Sequence, residues 1–243
     1  MRYFIELRYR GTNYCGWQRQ NNEPTVQGAI EKALAILLKK PTPITGAGRT
    51  DTGVHASFYV AHFDCEVEIV DPDFLRYKLN IILPEDISIS KIYRVEDDAH
   101  ARFDAKQREY RYFIERHKNP FTRDSAWQYY VDLDMEAMNR AAQRLLLHSD
   151  FTSFAKLNSN NKTNICSITD ARWTLSSQGE MIFTIRADRF LRNMVRAIVG
   201  TLVDVGRGKY TVDEFDAIIS SRDLSRCSAG APAQGLFLSG IEY

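Results

Sequence analysis

Gly46-Ala47-Gly48-Arg49-Thr50-Asp51-Thr52-Gly53-Val54-His55-Ala56, running into Ser57-Phe58-Tyr59-Val60-Ala61-His62-Phe63, is the point where the chain changes character. Before it, Val26, Ile30, Ala33, Leu34, Leu37 and Leu38 recur at helical spacing behind Thr25, a hydroxyl placed to cap the first turn. Lys39 and Lys40 stand where a helix favours cations. After it, Ser57 to Phe63 is rich in aromatic and β-branched residues and reads as a strand. The glycine-rich stretch is therefore a loop between a helix and a strand. Its glycines permit backbone conformations closed to other residues and let a ligand approach the chain. No Gly-Lys-Ser/Thr follows, so a phosphate-binding P-loop is excluded, and the dinucleotide fingerprint is absent too.

Outward from this loop the pattern continues. Tyr3, Ile5, Leu7 and Tyr9 alternate as a strand, Asp71-Pro72 opens a helix that runs to Leu83, and Ile87 to Val95 forms a third strand. The first half reads β-α-β-α-β. In the second half Glu109 to Arg116 and Trp127 to Val131 read as strands. Asp134 caps a helix to Leu147. Ile165 to Leu175 and Met181 to Ala187 form a hairpin around Ser176–Gly179. A helix spans Arg192 to Val205 and stops at Gly206. Thr211 and Glu214 make a capping box for another, and Leu236 to Tyr243 closes the chain as a strand. The polar run Asn158-Ser159-Asn160-Asn161-Lys162 reads as a surface loop. The expectation is an α+β protein of two similar domains, each a mostly antiparallel sheet with helices on one face. Residues 1–103 form the first and 104–243 the second, with the boundary near Ala99–Lys106.

Composition narrows the function classes. The 243 residues are 44% hydrophobic and 26% charged, as in a folded globular protein. Lys plus Arg is 32 against 31 acidic residues, a net charge of +1, so any nucleic-acid site must come from local clustering. Such clusters exist: Arg102, Lys106, Arg108, Arg111, Arg116, Lys118 and Arg123 lie in one stretch, and Arg186, Arg189, Arg192 and Arg196 in another. Asp64, Glu66, Glu68, Asp71 and Asp73 gather elsewhere. The charged, alternating N-terminus is no signal peptide, and no apolar run reaches the length of a membrane span, so a cytoplasmic protein is expected. Cys15, Cys65, Cys166 and Cys227 lie far apart without a Cys-x-x-Cys pair. Reduced core thiols are the expectation, not a metal site.

Within the loop, Arg49 and Asp51 stand two residues apart. A positioned, ionised carboxylate is a competent covalent nucleophile, while a tight turn with a surface ion pair is the plainer alternative. Wider context decides between them. Gly48 to Ala56 resembles the catalytic motif of the TruA family of tRNA pseudouridine synthases. So do Tyr9-Arg10-Gly11-Thr12-Asn13-Tyr14-Cys15-Gly16-Trp17-Gln18-Arg19-Gln20 and Thr25-Val26-Gln27 near the start. Ala101-Arg102-Phe103-Asp104-Ala105, Arg108-Glu109-Tyr110-Arg111-Tyr112 and Asp150-Phe151-Thr152-Ser153-Phe154 follow. Phe190-Leu191-Arg192-Asn193-Met194-Val195-Arg196 and Ala231-Pro232-Ala233-Gln234-Gly235-Leu236 complete the set, in family order over almost the whole chain. Where many members carry alanine after the aspartate, this chain has Thr52.

The resemblance implies a catalytic cleft between the two domains and assigns roles. Asp51 is the nucleophile, Arg196 its partner, and Arg49 takes the place of the extruded nucleotide. Tyr110 stacks on the uracil, and Leu236 lines its pocket. It implies uridines 38–40 of the tRNA anticodon arm as substrate, a homodimer, and no cofactor, metal or membrane. Each role is chemically apt. A base inside a stem must leave the stack to be attacked. A guanidinium plane fills part of the gap, and an aromatic face holds the flipped base at about 1–3 kcal/mol. On residue types alone, Tyr110 and Tyr112 also suit a core, and His55 suits a structural hydrogen bond. A non-catalytic RNA-binding protein would need neither Asp51 nor Tyr110. A glycosidase would need a second opposed carboxylate.

Overall fold

The computed structural model of the chain describes residues 1–156 and 162–243. Of the expected loop Asn158–Lys162, all but Lys162 lies outside the described residues. The chain divides into two compact units. One comprises Met1–Lys106 together with Leu238–Tyr243, the other Gln107–Phe237. The end of the chain thus groups with the first unit. Lys106 N–H donates to Glu242 O at 2.8 Å and the Tyr243 hydroxyl donates to Ala101 O at 2.8 Å.

In the first unit, β1 (Arg2–Tyr9) runs antiparallel between β3 (His55–Asp64) and β4 (Ile87–Val95). A short β2 (Ile44–Gly46) pairs with β3 on the way into the glycine-rich loop. Strand order is β4-β1-β3-β9, where β9 is Leu236–Glu242. Helix α1 (Val26–Leu38) buries Val26, Ile30, Ala33 and Leu34, and Thr25 caps it by accepting from Gly28 N–H. Such a cap is worth about 1 kcal/mol. Helix α2 (Pro72–Ile82) starts on the Asp71 cap and lies on the edge strand β4. There Asn80 donates to Ile89 O and accepts from Ile89 N–H, both at 2.8 Å. Its amide stands in for a neighbouring strand and covers part of the edge.

The second unit repeats the device. Its strand order is β5 (Gln107–Glu115), β8 (Met181–Ala187), β7 (Ile168–Leu175), all antiparallel, with β6 (Trp127–Gln128) parallel to β5. Helix α3 (Met135–Arg144) lies on the edge strand β7, and Asn139 grips it by donating to Trp173 O at 3.1 Å and accepting from Trp173 N–H at 2.7 Å. Helix α4 (Met194–Gly206) is the core of this unit: every residue of it except Arg196 is buried. Helix α5 (Val212–Ser221) opens with the complete Thr211/Glu214 capping box and buries Phe215, Ile218 and Ile219.

Element bounds differ from the sequence reading in a few places. The helix capped by Asp134 ends at Arg144 and tightens into a 3₁₀ turn over Leu145–Leu147. β6 stops at Gln128, and β7 starts at Ile168 because Cys166 N–H is committed to Ser149 O at 2.9 Å. No helix of the described residues is long and apolar enough to cross a membrane.

Candidate active site

The loop from β2 to β3 carries Arg49 and Asp51, and neighbouring chain pins it from several sides. Ala47 N–H donates to Val60 O at 2.9 Å, Trp17 N–H to Thr50 O at 3.2 Å, and Gly53 N–H to Tyr14 O at 3.3 Å. Val54 N–H returns to Asp51 O at 3.1 Å and closes the turn around the carboxylate. Two buried tyrosines complete the frame. The Tyr9 hydroxyl meets Thr50 Oγ1 at 2.8 Å, and the Tyr59 hydroxyl donates to Gly48 O. Trp17 stacks on Tyr59 at 4.1 Å, backing that hydroxyl with an immobile ring. Gly16 at φ +87° brings its Cα so close that a Cβ would lie 2.3 Å from Thr50 O. Only glycine allows that contact. In this frame Asp51 is half-buried, whereas Arg49 and Thr52 are exposed.

His55, at the start of β3, is wholly buried, and its Nδ1 accepts from Gly11 N–H at 3.0 Å. That places its proton on Nε2 and gives it a structural task, tying the first loop to the second. Tyr14 extends the tie by donating to Asp86 at 2.5 Å. Burial and that carboxylate push its phenol well above the usual range.

In the second unit, Tyr110 and Tyr112 alternate on β5 with different fates. Tyr112 is fully buried and donates to Pro232 O at 2.8 Å. Tyr110 is half-open, its ring set edge-on against Phe190 at 5.1 Å and 86°. Arg196 is the half-buried position of an otherwise buried α4, and its Nε donates to Ala231 O at 2.6 Å. Ala231 N–H donates back to Arg196 O at 2.9 Å. The Ala231–Gly235 segment, held by Arg196 and Tyr112, leads directly into Leu236, which is buried at the start of β9. The structure thus gathers Arg49 with Asp51 in one unit, and Arg196 with the segment before Leu236 in the other.

The basic stretches are partly neutralised. Glu109, 8% exposed, receives Arg111 Nε at 3.0 Å on one oxygen and Arg186 Nε at 2.6 Å on the other. Arg116 pairs with Asp132. All four cysteines are free; Cys65 and Cys166 are buried, and burial raises the Cys166 thiol to about 12. Among the described residues no three His, Cys, Asp or Glu side chains are placed to hold a metal ion.

A family model described as tRNA pseudouridine synthase matches residues 7–104 and 141–243. The chain belongs to the tRNA pseudouridine synthase family. It is therefore an isomerase that turns uridine of tRNA into pseudouridine. The relatives agree. A tRNA pseudouridine synthase A of Bacteroides fragilis is 53% identical over 242 residues, spanning 100% of this chain and 96% of its own. Those of Acetivibrio thermocellus and Listeria monocytogenes are 43% and 38% identical, each over at least 97% of both chains. Asp51, Arg49, Arg196 and Leu236 fall inside the residues matched to the family model, and Tyr110 falls between the two matched segments. Sequence reasoning missed Tyr9, Trp17 and Tyr59 as the frame of the synthase's loop. Tyr9 and Trp17 lie in a stretch that resembles the family without marking either as a support of the loop, and Tyr59 offers only an aromatic-rich pattern that a plain core would give as well.

Proposed function

We propose that this enzyme isomerises uridines 38–40 in the anticodon arm of tRNA, with Asp51 as covalent nucleophile. What carries this reading is the half-buried Asp51 in a turn fixed by buried hydroxyls, in a chain that belongs to this family. Rigid presentation of a carboxylate suits attack on a substrate brought to it, because misplacement by about 1 Å costs roughly 10²-fold in rate. The carboxylate adds at uracil C6 or at ribose C1′. The bond from C1′ to N1 breaks, the uracil turns over, C5 bonds to C1′, and the bond to the Asp51 carboxylate breaks again, which frees the enzyme. C5 then loses its proton and N1 gains one, so the product is an isomer of the substrate with no net redox change.

Each remaining residue has a task. Arg49, exposed beside Asp51, fills the space of the extruded nucleotide. Tyr110, half-open on β5, offers the uracil a stacking face, and Leu236 closes its pocket. Arg196 supplies the positive charge that keeps the nucleophile ionised in the catalytic complex. The enzyme works as a homodimer in the cytoplasm, with one tRNA bridging both subunits.

The test is release of tritium from tRNA labelled at uracil C5. The wild-type enzyme should release it, and Asp51→Ala should be slower by at least about 10⁴-fold while still binding tRNA. Replacing uridines 38–40 by cytidine should remove the release. Turnover by Asp51→Ala would defeat the nucleophile, and tRNA binding without release by the wild type would favour the RNA-binding alternative.

A further inference from the structure

The turn His100–Asp104, near the end of the first unit's main segment, holds Phe103 with 73% of its surface open to solvent. The turn is tightly built. His100 N–H donates to Asp104 Oδ2 at 2.6 Å, and Asp104 N–H returns to His100 O at 3.1 Å. His100 Nδ1 accepts from the N–H groups of both Arg102 (3.1 Å) and Phe103 (3.2 Å). Ala101 N–H donates to buried His62. Every backbone N–H from 100 to 104 is thus engaged. The His100 ring lies 4.2 Å behind Phe103, and the Arg102 guanidinium stands 5.6 Å from the Phe103 ring centre. A fixed turn that keeps a phenyl ring out of the core, backed by an imidazole and flanked by a cation, has the chemistry of a stacking platform for an unpaired base.

We propose that Phe103 stacks on an unpaired base of the bound RNA while Arg102 contacts the adjoining phosphate. The proposal rests on the tRNA reading and adds an RNA contact to the residues assigned above. The fixed backing separates this site from the other exposed aromatic region of the unit, around Phe74 and Tyr77 on α2. There Lys78 Nζ stands 5.5 Å from the Phe74 ring, but Phe74 and Tyr77 ride on a helix, without the committed turn and the backing imidazole that fix Phe103.

The experiment measures affinity of the full-length enzyme for an unmodified tRNA transcript. Phe103→Ala should weaken it about tenfold or more, and Phe103→Trp should restore it, with the new indole quenched on adding tRNA. Arg102→Gln should lower affinity and flatten the dependence of log K on log salt by about one unit. Unchanged affinity in a Phe103→Ala enzyme with wild-type melting overturns the proposal. So does an unquenched Phe103→Trp, which decides the matter if Phe103→Ala fails to fold. A smaller sedimenting species at wild-type RNA affinity overturns it by assigning the ring to a subunit contact. The parent reading fails differently, by wild-type enzyme releasing no tritium.

Discussion

The two units hold the residues proposed for the site by opposite means. In the first, Asp51 and Arg49 sit on irregular backbone, and their position depends on the hydroxyls of Tyr9 and Tyr59, the N–H of Trp17 and the carbonyl of Tyr14. In the second, Tyr110 is on a central strand and Arg196 on a buried helix, so packing of regular elements places them. A loop presents a carboxylate on several sides at once, which a strand or helix does not, and it needs an external frame to stay rigid. Damage to the frame should appear as lost rate, and damage around Arg196 chiefly as lost stability.

The sharpest test pairs two glycines. Gly16→Ala would put a methyl 2.3 Å from Thr50 O at φ +87°, so the carbonyl next to Asp51 must move. We expect kcat to fall about 100-fold or more, with tRNA affinity within a few-fold. Gly200→Ala, in buried α4, would put its methyl 2.2 Å from Ala229 O. That overpacking should cost about 1–3 kcal/mol of stability, read as a lower Tm, with a smaller change in kcat. Equal loss of kcat in both variants at unchanged Tm would erase the distinction.

A milder pair removes one hydroxyl from each unit. Tyr59→Phe deletes the donor to Gly48 O, and Tyr112→Phe the donor to Pro232 O. Each should cost about 1 kcal/mol of stability. Tyr59→Phe should also lower kcat about tenfold, because the carbonyl it holds is one residue from Arg49. Tyr112→Phe should raise KM for tRNA with kcat within about twofold, because its carbonyl belongs to the segment leading to Leu236. Single-turnover rates against steady-state KM separate the outcomes.

This contrast also explains what could be read from the sequence. α1 over Val26–Leu38 and β4 over Ile87–Val95 are where periodicity and caps placed them, since both carry their signals within a few residues. The capping box of α5 is equally local. β2 escaped notice because three residues ending in glycine carry no period. Arg196 stood out less by its type than by its place, the open position of a buried helix, which needs the packing to be seen. The hydroxyl contacts framing Asp51 join residues up to 41 positions apart, and nothing in a local window marks a tyrosine that donates to a loop from one that only fills a core.

The smallest effect concerns histidines. His62 in the first unit is buried beside Phe4 and edge-on to His100 at 4.7 Å, with Nδ1 accepting from Ala101 N–H. Burial, helped by Arg2 and His100, lowers its pKa from 6.5 to about 4, outweighing the opposite pull of Asp64 and Asp104. Between pH 6.5 and 4 the unfolded chain binds a proton at His62 that the folded chain refuses. The contribution of the neutral ring is therefore complete above about pH 6.5 and is lost as pH falls to about 4. One proton sets the ceiling, a slope of about 1.4 kcal/mol per pH unit. His62→Gln, which can still accept from Ala101, should flatten the fall of Tm over that range. An unchanged slope in His62→Gln would move the acid sensitivity elsewhere.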